Sequence, residues 1–376
     1  METRQIIIIG GGLAGLTSAI HLSKIGLQVT VIEKNEFLKH KVCGEYVSNE
    51  VLPYLQWLGV DVSELKPTQI SKIIFSTTSG KIVRCKLPLG GFGVSRYALD
   101  EFLHQKALAN GCMFLHESAE NVDFTNDVFT VTTTGNQTLT ADFVIGAYGK
   151  RSNLDQKLHR DFISRQSPWL AVKAHYCGDF PNDTVGLHNF KGGYCGVSKV
   201  ENDKVNVCYL ADYKTFKNYK NIEDYQRAVV SKNPNLRPIF ENMKPLFEKP
   251  LTISQISFEK KQAVEKHVLM VGDSVGMIHP LCGNGMAMAI HSAKLLSELL
   301  GDFFAGKIES RAALEKKYSE TWNSNFSNRL NLGRFLAKIL GKSRLSENLM
   351  RLLAVFPSLL PKIINKTHGK ALVLNT

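Results

Sequence analysis

The N-terminal segment of the chain reads QIIIIGGGLAG over residues 5–15. Its first part, Gln5–Ile9, is a run of β-branched residues of the kind found in a strand buried on both faces. The run Leu13–Ile25 then has apolar residues at helical spacing, and Gly26 ends it. A second apolar run, Gln28–Ile32, follows. The segment therefore predicts a strand–helix–strand unit in which a glycine-rich turn leads from the first strand into the helix.

The glycines of this turn have the GxGxxG spacing of a dinucleotide-binding site. Gly10 permits the tight turn, Gly12 lets a pyrophosphate approach the backbone, and Gly15 lets the helix pack closely on the strand. The N–H groups at the start of the helix, which include those of Leu13 and Ala14, favour anions because they lack an intrahelical partner. The turn therefore predicts a pyrophosphate site.

An acidic residue follows the second strand. Glu33 lies 18 residues after Gly15, close to the roughly 20 residues expected for the acid that accepts hydrogen bonds from ribose hydroxyls. Glu33 and its neighbour Lys34 are therefore candidates for the adenosine end of a dinucleotide. The pattern does not distinguish NAD from FAD, because both contain ADP.

Two later segments also combine a strand with a glycine turn. Residues 141–152 read ADFVIGAYGKRS, in which Phe143–Ala147 is the strand and Gly149 ends it. Residues 266–300 begin with the apolar run His267–Val271, continue through GDS and PLCGNG, and end in a long helix. Both segments predict buried strands that end at glycine turns.

The last of these segments carries chemistry that can be read from its residues. Asp273 at a strand tip can hold a sugar-like polyol hydroxyl. Gly283 and Gly285 place bare N–H groups at a helix start, where a flavin carbonyl or a pyrophosphate would bind. Taken alone, these glycines are equally consistent with a simple turn.

Together the three segments resemble the motifs of the para-hydroxybenzoate-hydroxylase-like superfamily of FAD enzymes, which includes aromatic monooxygenases, geranylgeranyl reductases and flavin halogenases. The resemblance implies an extended FAD whose ADP half lies on the first turn and Glu33. It also implies that Asp273 contacts the ribityl chain. The turn formed by Gly283, Asn284 and Gly285 would face the isoalloxazine ring.

Details within the motifs separate the branches of this superfamily. Arg96 matches the family's arginine at the start of a helix near the cofactor. Monooxygenases often have a histidine where this chain has Gly276, and Cys43-Gly44-Glu45 resembles the Cys-Gly element of geranylgeranyl reductases. The sequence lacks the Trp-x-Trp-x-x-Pro signature of tryptophan halogenases. The motifs are thus closest to the geranylgeranyl reductase branch.

The predicted fold class is mixed α/β (α+β). A Rossmann-like FAD-binding domain is joined by an antiparallel β-sheet substrate domain, with strand patterns over 70–87 and 168–211, and by a C-terminal helical segment. No second GxGxxG occurs, so NAD(P)H is expected only as a transient reductant. The predicted boundaries are 1–69, 95–155 and 259–305 for the discontinuous FAD-binding domain, 70–94 and 156–258 for the substrate domain, and 306–376 for the C-terminal segment.

The catalytic residues stay open at this point. Cys43 could approach the flavin or be a small buried apolar residue. Glu45 could act as an acid, or be a carboxylate at a helix start. His279 could donate a proton or stabilise the negative charge of a reduced flavin, or be structural. No metal site is predicted, because the cysteines and histidines lack metal-ligand spacing.

The expected activity is FAD-dependent oxidoreduction of a hydrophobic substrate, either a small molecule or a carrier-bound one. Gly276 and the Cys43-Gly44 element favour reduction of a C=C bond in a prenyl- or lipid-like molecule. The first alternative is an NAD(P)H-dependent monooxygenase that hydroxylates an aromatic or polyketide-like substrate. A more distant alternative is a non-enzymatic escort for a prenylated partner.

The chain of 376 residues has a formal net charge of +12, and residues 329–376 contribute +8 of it, with nine basic residues and one acid. Apolar residues at helical spacing there predict two or three basic amphipathic helices, which could cover the substrate pocket or touch an anionic membrane. Nucleic-acid binding is not expected. Seven cysteines without a CxxC pair indicate a reduced, cytoplasmic chain. If the chain binds a membrane peripherally, we expect it at the inner face. The oligomeric state is left open.

Overall fold

The computed structural model describes residues 5–340, 345, 348–349, 352–353, 356 and 358–373. The helices of this part are α1 (Leu13–Lys24), α2 (Leu52–Trp57), α3 (Arg96–Ala109), α4 (Asn153–Lys157), α5 (Tyr213–Phe216), α6 (Ile222–Ala228), α7 (Arg237–Asn242), α8 (Gly285–Phe304), α9 (Arg311–Leu340) and α10 (Leu359–Thr367). The strands are β1 (Gln5–Ile9), β2 (Gln28–Ile32), β3 (Tyr46–Ser48), β4 (Thr68–Ser76), β5 (Ile82–Gly93), β6 (Met113–Leu115), β7 (Ala119–Thr125), β8 (Val128–Thr133), β9 (Thr138–Ala141), β10 (Phe143–Gly146), β11 (Trp169–Cys177), β12 (Thr184–Phe190), β13 (Gly193–Lys199), β14 (Val205–Asp212), β15 (Lys244–Pro245), β16 (Leu251–Ser254), β17 (Val264–Glu265) and β18 (Val268–Met270).

The N-terminal strand lies in the middle of a six-stranded sheet. The strand order is β17–β18–β10–β1–β2–β6, and all neighbours are parallel except β17 and β18. The isoleucines of β1 are buried because the strand is covered on both faces. α1 packs against α3 and α8. The strands predicted from all three glycine segments are therefore neighbours, and their turns lie at one edge of the sheet.

A second sheet of nine strands is mainly antiparallel. Its order is β15–β11–β14–β13–β12–β4–β5–β3, and β16 also pairs with β11. The neighbours β4 and β12 run parallel. Side chains alternate between its two faces, and one face packs with Tyr225, Val230 and Leu236 from the helical segment after β14.

The other face of this sheet forms what we call the inner apolar layer. It contacts the loop before α8 and the C-terminal segment. The buried members of the layer are Tyr46, Ile70, Ile73, Phe75, Val83, Leu87, Ala171, Val185, Leu187, Tyr194, Leu210, Ile256, Met277, Leu281, Leu353, Leu360 and Ile364.

Two further features bear on the sequence predictions. β3 pairs with β5 in the nine-stranded sheet, whereas the predicted boundaries place residues 46–48 in the FAD-binding domain. The domain boundaries stay a prediction. The strands β7–β8–β9 form a third sheet, which is separate from the other two in its strand pairing. All seven cysteines are free.

The C-terminal segment differs in one respect from its prediction. α9 runs from Arg311 to Leu340, so the change in composition at Arg329 is not a helix boundary. In α10, Leu360 and Ile364 are buried in the inner apolar layer. No described helix is both long enough and apolar enough to cross a bilayer. Of the nine basic residues and one acid counted over residues 329–376, four lie outside the described part of the chain: Lys342, Arg344, Glu347 and Arg351.

After α10 the chain returns to a buried glutamate. The carboxylate of Glu50 accepts a hydrogen bond from the N–H of Gly369, and its carbonyl oxygen accepts one from Leu372 at 2.7 Å. Arg329 Nη1 lies 3.7 Å from the same carboxylate. Burial raises the pKa of Glu50, although Gly369 and Arg329 act in the opposite direction.

We expect the contribution of Glu50 to the docking of residues 359–373 to weaken with rising pH. A carboxyl group whose pKa is raised by folding stabilises the folded form while it is protonated, and this contribution is lost as pH rises through the raised pKa. Glu50→Gln keeps a neutral hydrogen-bonding side chain. Hydrogen-exchange protection factors of residues 359–373 are measured in both proteins above the ordinary glutamate pKa of 4.5. Burial lowers the pKa of His368 in this segment to about 4, and this contribution is common to both proteins. The protection of the wild type relative to Glu50→Gln should therefore fall as pH rises.

The matched control is Glu64→Gln, which changes an exposed glutamate. It should retain the pH dependence of the wild type. A ratio of wild-type to Glu50→Gln protection that does not change with pH would show that Glu50 does not control this docking.

Candidate functional site

The three motif glycines have different surroundings. Gly10 has a φ of +111°, and a Cβ there would lie 2.5 Å from the carbonyl oxygen of Ala147. A Cβ on Gly15 would lie 2.0 Å from the carbonyl oxygen of Gly10. At Gly12, which precedes α1, the nearest neighbour of a Cβ would be Arg96 Nη2 at 3.7 Å. Gly10 and Gly15 are thus required by packing, whereas Gly12 leaves space beside a cation.

Two cations beside the glycine turn share one carboxylate. Asp100 accepts hydrogen bonds from Arg96 Nε at 2.6 Å and Nη2 at 2.7 Å, and from Lys41 Nζ at 2.8 Å. Burial alone would raise the pKa of Asp100, but the charges of Arg96 and Lys41 hold it below its usual range. The three groups together carry one net positive charge. This charge suits an anion next to the turn.

Glu33 is fixed at the end of β2. Its Oε2 accepts a hydrogen bond from the N–H of Gly11 at 2.8 Å, and its Oε1 accepts one from a backbone N–H two residues further on at 2.9 Å. Lys34 is exposed. The first turn of α1, which contains Leu13 and Ala14, has no acidic residue. Its free N–H groups therefore meet no carboxylate of their own helix.

The second and third glycine segments are joined by a hydrogen bond. The N–H of Gly149 donates to Ser274 Oγ at 2.9 Å. The carbonyl oxygen of Asp273 accepts a hydrogen bond from Lys261 Nζ at 2.8 Å, and burial lowers the pKa of Lys261 to about 8. Asp273 is thus fixed at a strand end, beside the turn of the second segment.

The glycine turn before α8 presents both open and occupied positions. Gly283 has a φ of +64°, and the nearest neighbour of a Cβ there would be Tyr46 Cδ1 at 3.6 Å. A Cβ on Gly285 would also make only ordinary van der Waals contacts. Asn284 Nδ2 donates to the carbonyl oxygen of Thr367 at 3.0 Å. The Asn284 amide therefore binds the C-terminal segment, and the two glycines leave room for a ligand.

The structure explains why Gly276 replaces a histidine. A Cβ on Gly276 would lie 2.8 Å from Cη2 of Trp322, a buried residue of α9. The indole ring fills the space that a larger side chain would need. This departure from the monooxygenase pattern is therefore coupled to the packing of α9.

Glu45 lies outside any helix but contacts the start of one. Its φ is +54° and its side chain is fully buried. Oε1 accepts hydrogen bonds from Lys173 Nζ at 2.6 Å and from the N–H of Arg96 at 2.8 Å. Oε2 accepts one from His175 Nε2 at 2.6 Å. Burial alone would raise the pKa of Glu45, but the hydrogen bond from His175 and the charge of Lys173 lower it overall.

Lys173 and His175 are site residues that the sequence analysis missed. Both are buried on β11, and they face the same side because they are two residues apart. The strand reads WLAVKAHYC, so two ionisable residues interrupt an apolar run on one face. That pattern was the available signal for a buried acidic partner, since ionisable groups are buried only with a partner.

His40 completes a cluster with two of these residues. Atoms of His40, Glu45 and His175 that can ligate a metal lie within 4.8 Å of one another. The ammonium group of Lys173 already lies 2.6 Å from the same carboxylate, and it would repel a metal ion. Burial and the charge of Lys173 lower the pKa of His40 to about 4. The cluster therefore fits proton-carrying groups better than a metal site.

Cys43 lies at the open side of this cluster. Its Sγ accepts a long hydrogen bond from the N–H of Glu45 at 3.5 Å. Asn206 Nδ2 holds the carbonyl oxygens of Cys43 and Gly44 at 3.3 Å and 2.8 Å. A Cβ on Gly44 would meet no atom within 4 Å. The segment is thus held from one side and leaves space on the other.

His279 lies among aromatic rings at the edge of the inner apolar layer. Its ring centroid is 4.8 Å from that of Phe258, 5.8 Å from that of Tyr194 and 6.0 Å from that of Trp169. Burial lowers the pKa of His279 to about 4, so the ring is neutral at pH 7. Nδ1 accepts a hydrogen bond from Leu281 at 3.4 Å. The proton is therefore on Nε2, for which the described residues offer no acceptor.

Comparison with known proteins identifies the family and several relatives. The profile of a family described as FAD binding domain matches residues 3–322. The chain is 24% identical over 363 residues to Conditioned medium factor receptor 1 of Dictyostelium discoideum, covering 87% of this chain and 69% of that protein. It is 23% identical over 360 residues to a digeranylgeranylglycerophospholipid reductase of Methanococcus vannielii, covering 87% and 82%. It is 24% identical over 354 residues to hispidin-3-hydroxylase of Neonothopanus nambi, covering 82% and 83%.

Solved structures share the fold. A flavin-dependent brominase superposes with a TM-score of 0.80 at 18% identity, covering 96% of this chain and 92% of that one. The flavin-dependent halogenase CmlS superposes with a TM-score of 0.77 at 20% identity. The match covers 88% of this chain but only 64% of the halogenase. At these identities the likeness concerns the fold alone.

The residues present fit FAD. Gly12, Gly44 and Gly149 each leave space where a side chain would otherwise lie. Arg96 and Lys41 supply positive charge beside Gly12, where the pyrophosphate is expected. The predicted roles of the individual residues stay predictions.

We expect Gly12→Ala to fold normally and to bind FAD poorly. The new Cβ has room within the protein, but it would cover the backbone surface that a pyrophosphate approaches. The affinity for FAD should fall about tenfold or more, which corresponds to about 1.4 kcal/mol. Fluorescence titration of the FAD-free protein with FAD measures this loss, and its melting temperature should be unchanged.

Two other glycines provide the controls. In Gly15→Ala the Cβ would collide with the carbonyl oxygen of Gly10, so the FAD-free protein itself should be destabilised. Gly26 has a φ of +87° in open surroundings, so Gly26→Ala should cost about 1 kcal/mol of stability and retain FAD. Wild-type affinity in Gly12→Ala would place the pyrophosphate elsewhere.

Proposed function

The chain belongs to the FAD binding domain family and is an FAD-dependent oxidoreductase, and we propose that it reduces a C=C bond of a prenyl- or lipid-like substrate. The substrate would be a small molecule or be bound to a carrier. This proposal combines the inner apolar layer with the reductase-like motifs of the chain.

The inner apolar layer is the observation that carries this proposal. It brings aliphatic and aromatic side chains of the nine-stranded sheet, such as Ile73, Val185 and Leu187, against Met277 and Leu281. The last two residues flank His279 in the loop that leads to α8. A hydrocarbon chain is the kind of ligand that gains most from such a surface.

The chain's own residues would hold the cofactor and exclude water from the reacting atoms. FAD, when bound and reduced, supplies the hydride for such a reduction. Arg96 and Lys41 would offset part of the negative charge of the pyrophosphate, and Asp273 would bind the ribityl chain. The N–H groups of Gly283 and Gly285 would face the ring. We propose NAD(P)H or another electron donor as the reductant. NAD(P)H would bind only transiently, because the sequence offers no second dinucleotide motif.

The C-terminal segment supports a role as a cover for the substrate. Leu353, Leu360 and Ile364 are buried in the inner apolar layer. Phe335 and Phe356 of the same segment are exposed, at 58% and 53%, and basic residues surround them in sequence. Peripheral contact with an anionic membrane is therefore a secondary proposal.

The alternative activity is monooxygenation of an aromatic or polyketide-like substrate. It is supported by the similarity to hispidin-3-hydroxylase. The two reactions differ in their need for oxygen. Hydroxylation requires oxygen in every turnover, whereas reduction of a C=C bond by a reduced flavin does not.

We expect the reduced protein to saturate an isoprenoid without oxygen. The FAD-loaded protein is reduced with dithionite under nitrogen and mixed with geranylgeraniol in detergent. Mass spectrometry should detect products that have gained two hydrogen atoms per reduced double bond. The Gly12→Ala protein serves as the FAD-poor control and should give little product.

Two results would contradict the reductase proposal. One is the absence of any saturated product while the flavin is fully reduced. The other is incorporation of oxygen from air into an aromatic substrate, which would favour the monooxygenase.

A further inference from the structure

The cluster around Glu45 is not used by the proposed function. Glu45, Lys173 and His175 are all buried. Lys173 alone balances the charge of the Glu45 carboxylate, so His175 is not needed as a counter-charge. A second imidazole, that of His40, meets the His175 ring edge-on with centroids 5.1 Å apart. The imidazoles therefore call for an explanation other than charge balance.

His40 connects this cluster to solvent. Its side chain is partly exposed, whereas its Nδ1 is buried and has no hydrogen-bond partner among the described residues. The ring is stacked on Tyr97 at 4.7 Å and contacts Phe247 at 4.7 Å. Lys204 also acts on it electrostatically. The ring thus spans from the surface to a buried, unpaired nitrogen.

The other end of the cluster is linked to the proposed cofactor site through the start of α3. Oε1 of Glu45 accepts the N–H of Arg96, the residue whose side chain lies beside Gly12. Glu45 also directly follows Gly44, next to which space is left open. A partly exposed imidazole, a buried imidazole and a buried carboxylate therefore lie in series, from the surface at His40 to the backbone beside this space.

We propose that His40, His175 and Glu45 form a proton path between solvent and the flavin-facing side of the site. Any two-electron reduction of a flavin by an electron donor that carries no hydride needs a proton as well. The donor would supply two electrons. The N–H bond at His175 Nε2 would break as its proton passes to Glu45 Oε2 and on to the cofactor side, and His40 would replace that proton with one taken from water.

Burial lowers the pKa of His40 to about 4, so the ring is mainly neutral at pH 7. A neutral imidazole can accept a proton on one nitrogen and release one from the other, which is the property that a relay needs. The path rests on the binding of FAD and on a reductant that supplies electrons without a hydride, because a hydride from NAD(P)H would need no separate proton at the ring. It does not depend on whether the substrate is reduced or hydroxylated. Failure of the substrate proposal would therefore leave the path intact.

The test follows proton uptake during flavin reduction. The FAD-loaded protein is mixed with dithionite in weak buffer that contains a pH-indicator dye, and stopped-flow absorbance records the flavin and the dye together. The acid produced by dithionite oxidation is measured in a separate control, in which dithionite reduces ferricyanide, an acceptor that takes up electrons without protons, and is then subtracted. In the wild type, proton uptake should keep pace with loss of oxidised flavin. In His40→Gln it should lag by about tenfold or more.

Matched variants separate a relay from a structural role. His116→Gln changes an exposed histidine outside the cluster and should behave like the wild type. His40→Ala should be slow and should regain speed when imidazole is added, because its site is open to solvent. His175→Gln should be slow and should not respond to imidazole, because its site is buried.

FAD content and melting temperature are measured for every variant, so that a folding defect is recognised. Proton uptake in His40→Gln at the wild-type rate would overturn the proposal. So would a slow His40→Ala protein that imidazole does not accelerate. The substitutions at His40 change a partly exposed side chain, so they keep the test valid even where His175→Gln does not fold.

Discussion

The Glu45 carboxylate is the interaction on which the arrangement of the site depends. It accepts hydrogen bonds from Lys173 and His175 of β11 and from the first N–H of α3. It therefore joins the nine-stranded sheet to the helix that carries Arg96. Leaving a buried Lys173 without its partner would cost about 3–5 kcal/mol. The left-handed backbone of Glu45, at a cost of about 1 kcal/mol, is maintained by these stronger contacts.

The dinucleotide-binding unit was predictable because its signals are local. The bounds expected for β1 and β2 are those observed, and α1 ends at Lys24, one residue before the expected end. β-branched runs and a glycine turn determine these elements within a few neighbouring residues. The strands of the larger sheet were predicted for the same reason.

The contacts around Glu45 and Gly276 in the candidate site were less predictable, because they depend on residues far apart in sequence. Glu45 and His175 are separated by 130 positions and meet through the packing of β11 on the segment before β3. Gly276 departs from the monooxygenase motif, and the ring that takes the space of a side chain there belongs to Trp322 of α9. Neither contact leaves a signal in a short stretch of sequence. The two ionisable residues in β11 indicated a buried partner without identifying it.

The hydrogen bond between Asn284 and Thr367 couples two parts of the molecule thermodynamically. Any ligand that shifts the glycine turn before α8 also changes the free energy with which the C-terminal segment docks. Linkage makes this effect reciprocal, so that whatever detaches the segment changes the affinity for the ligand by the same factor. Docking of the C-terminal segment on the inner apolar layer and ligand binding at the turn before α8 are therefore thermodynamically coupled.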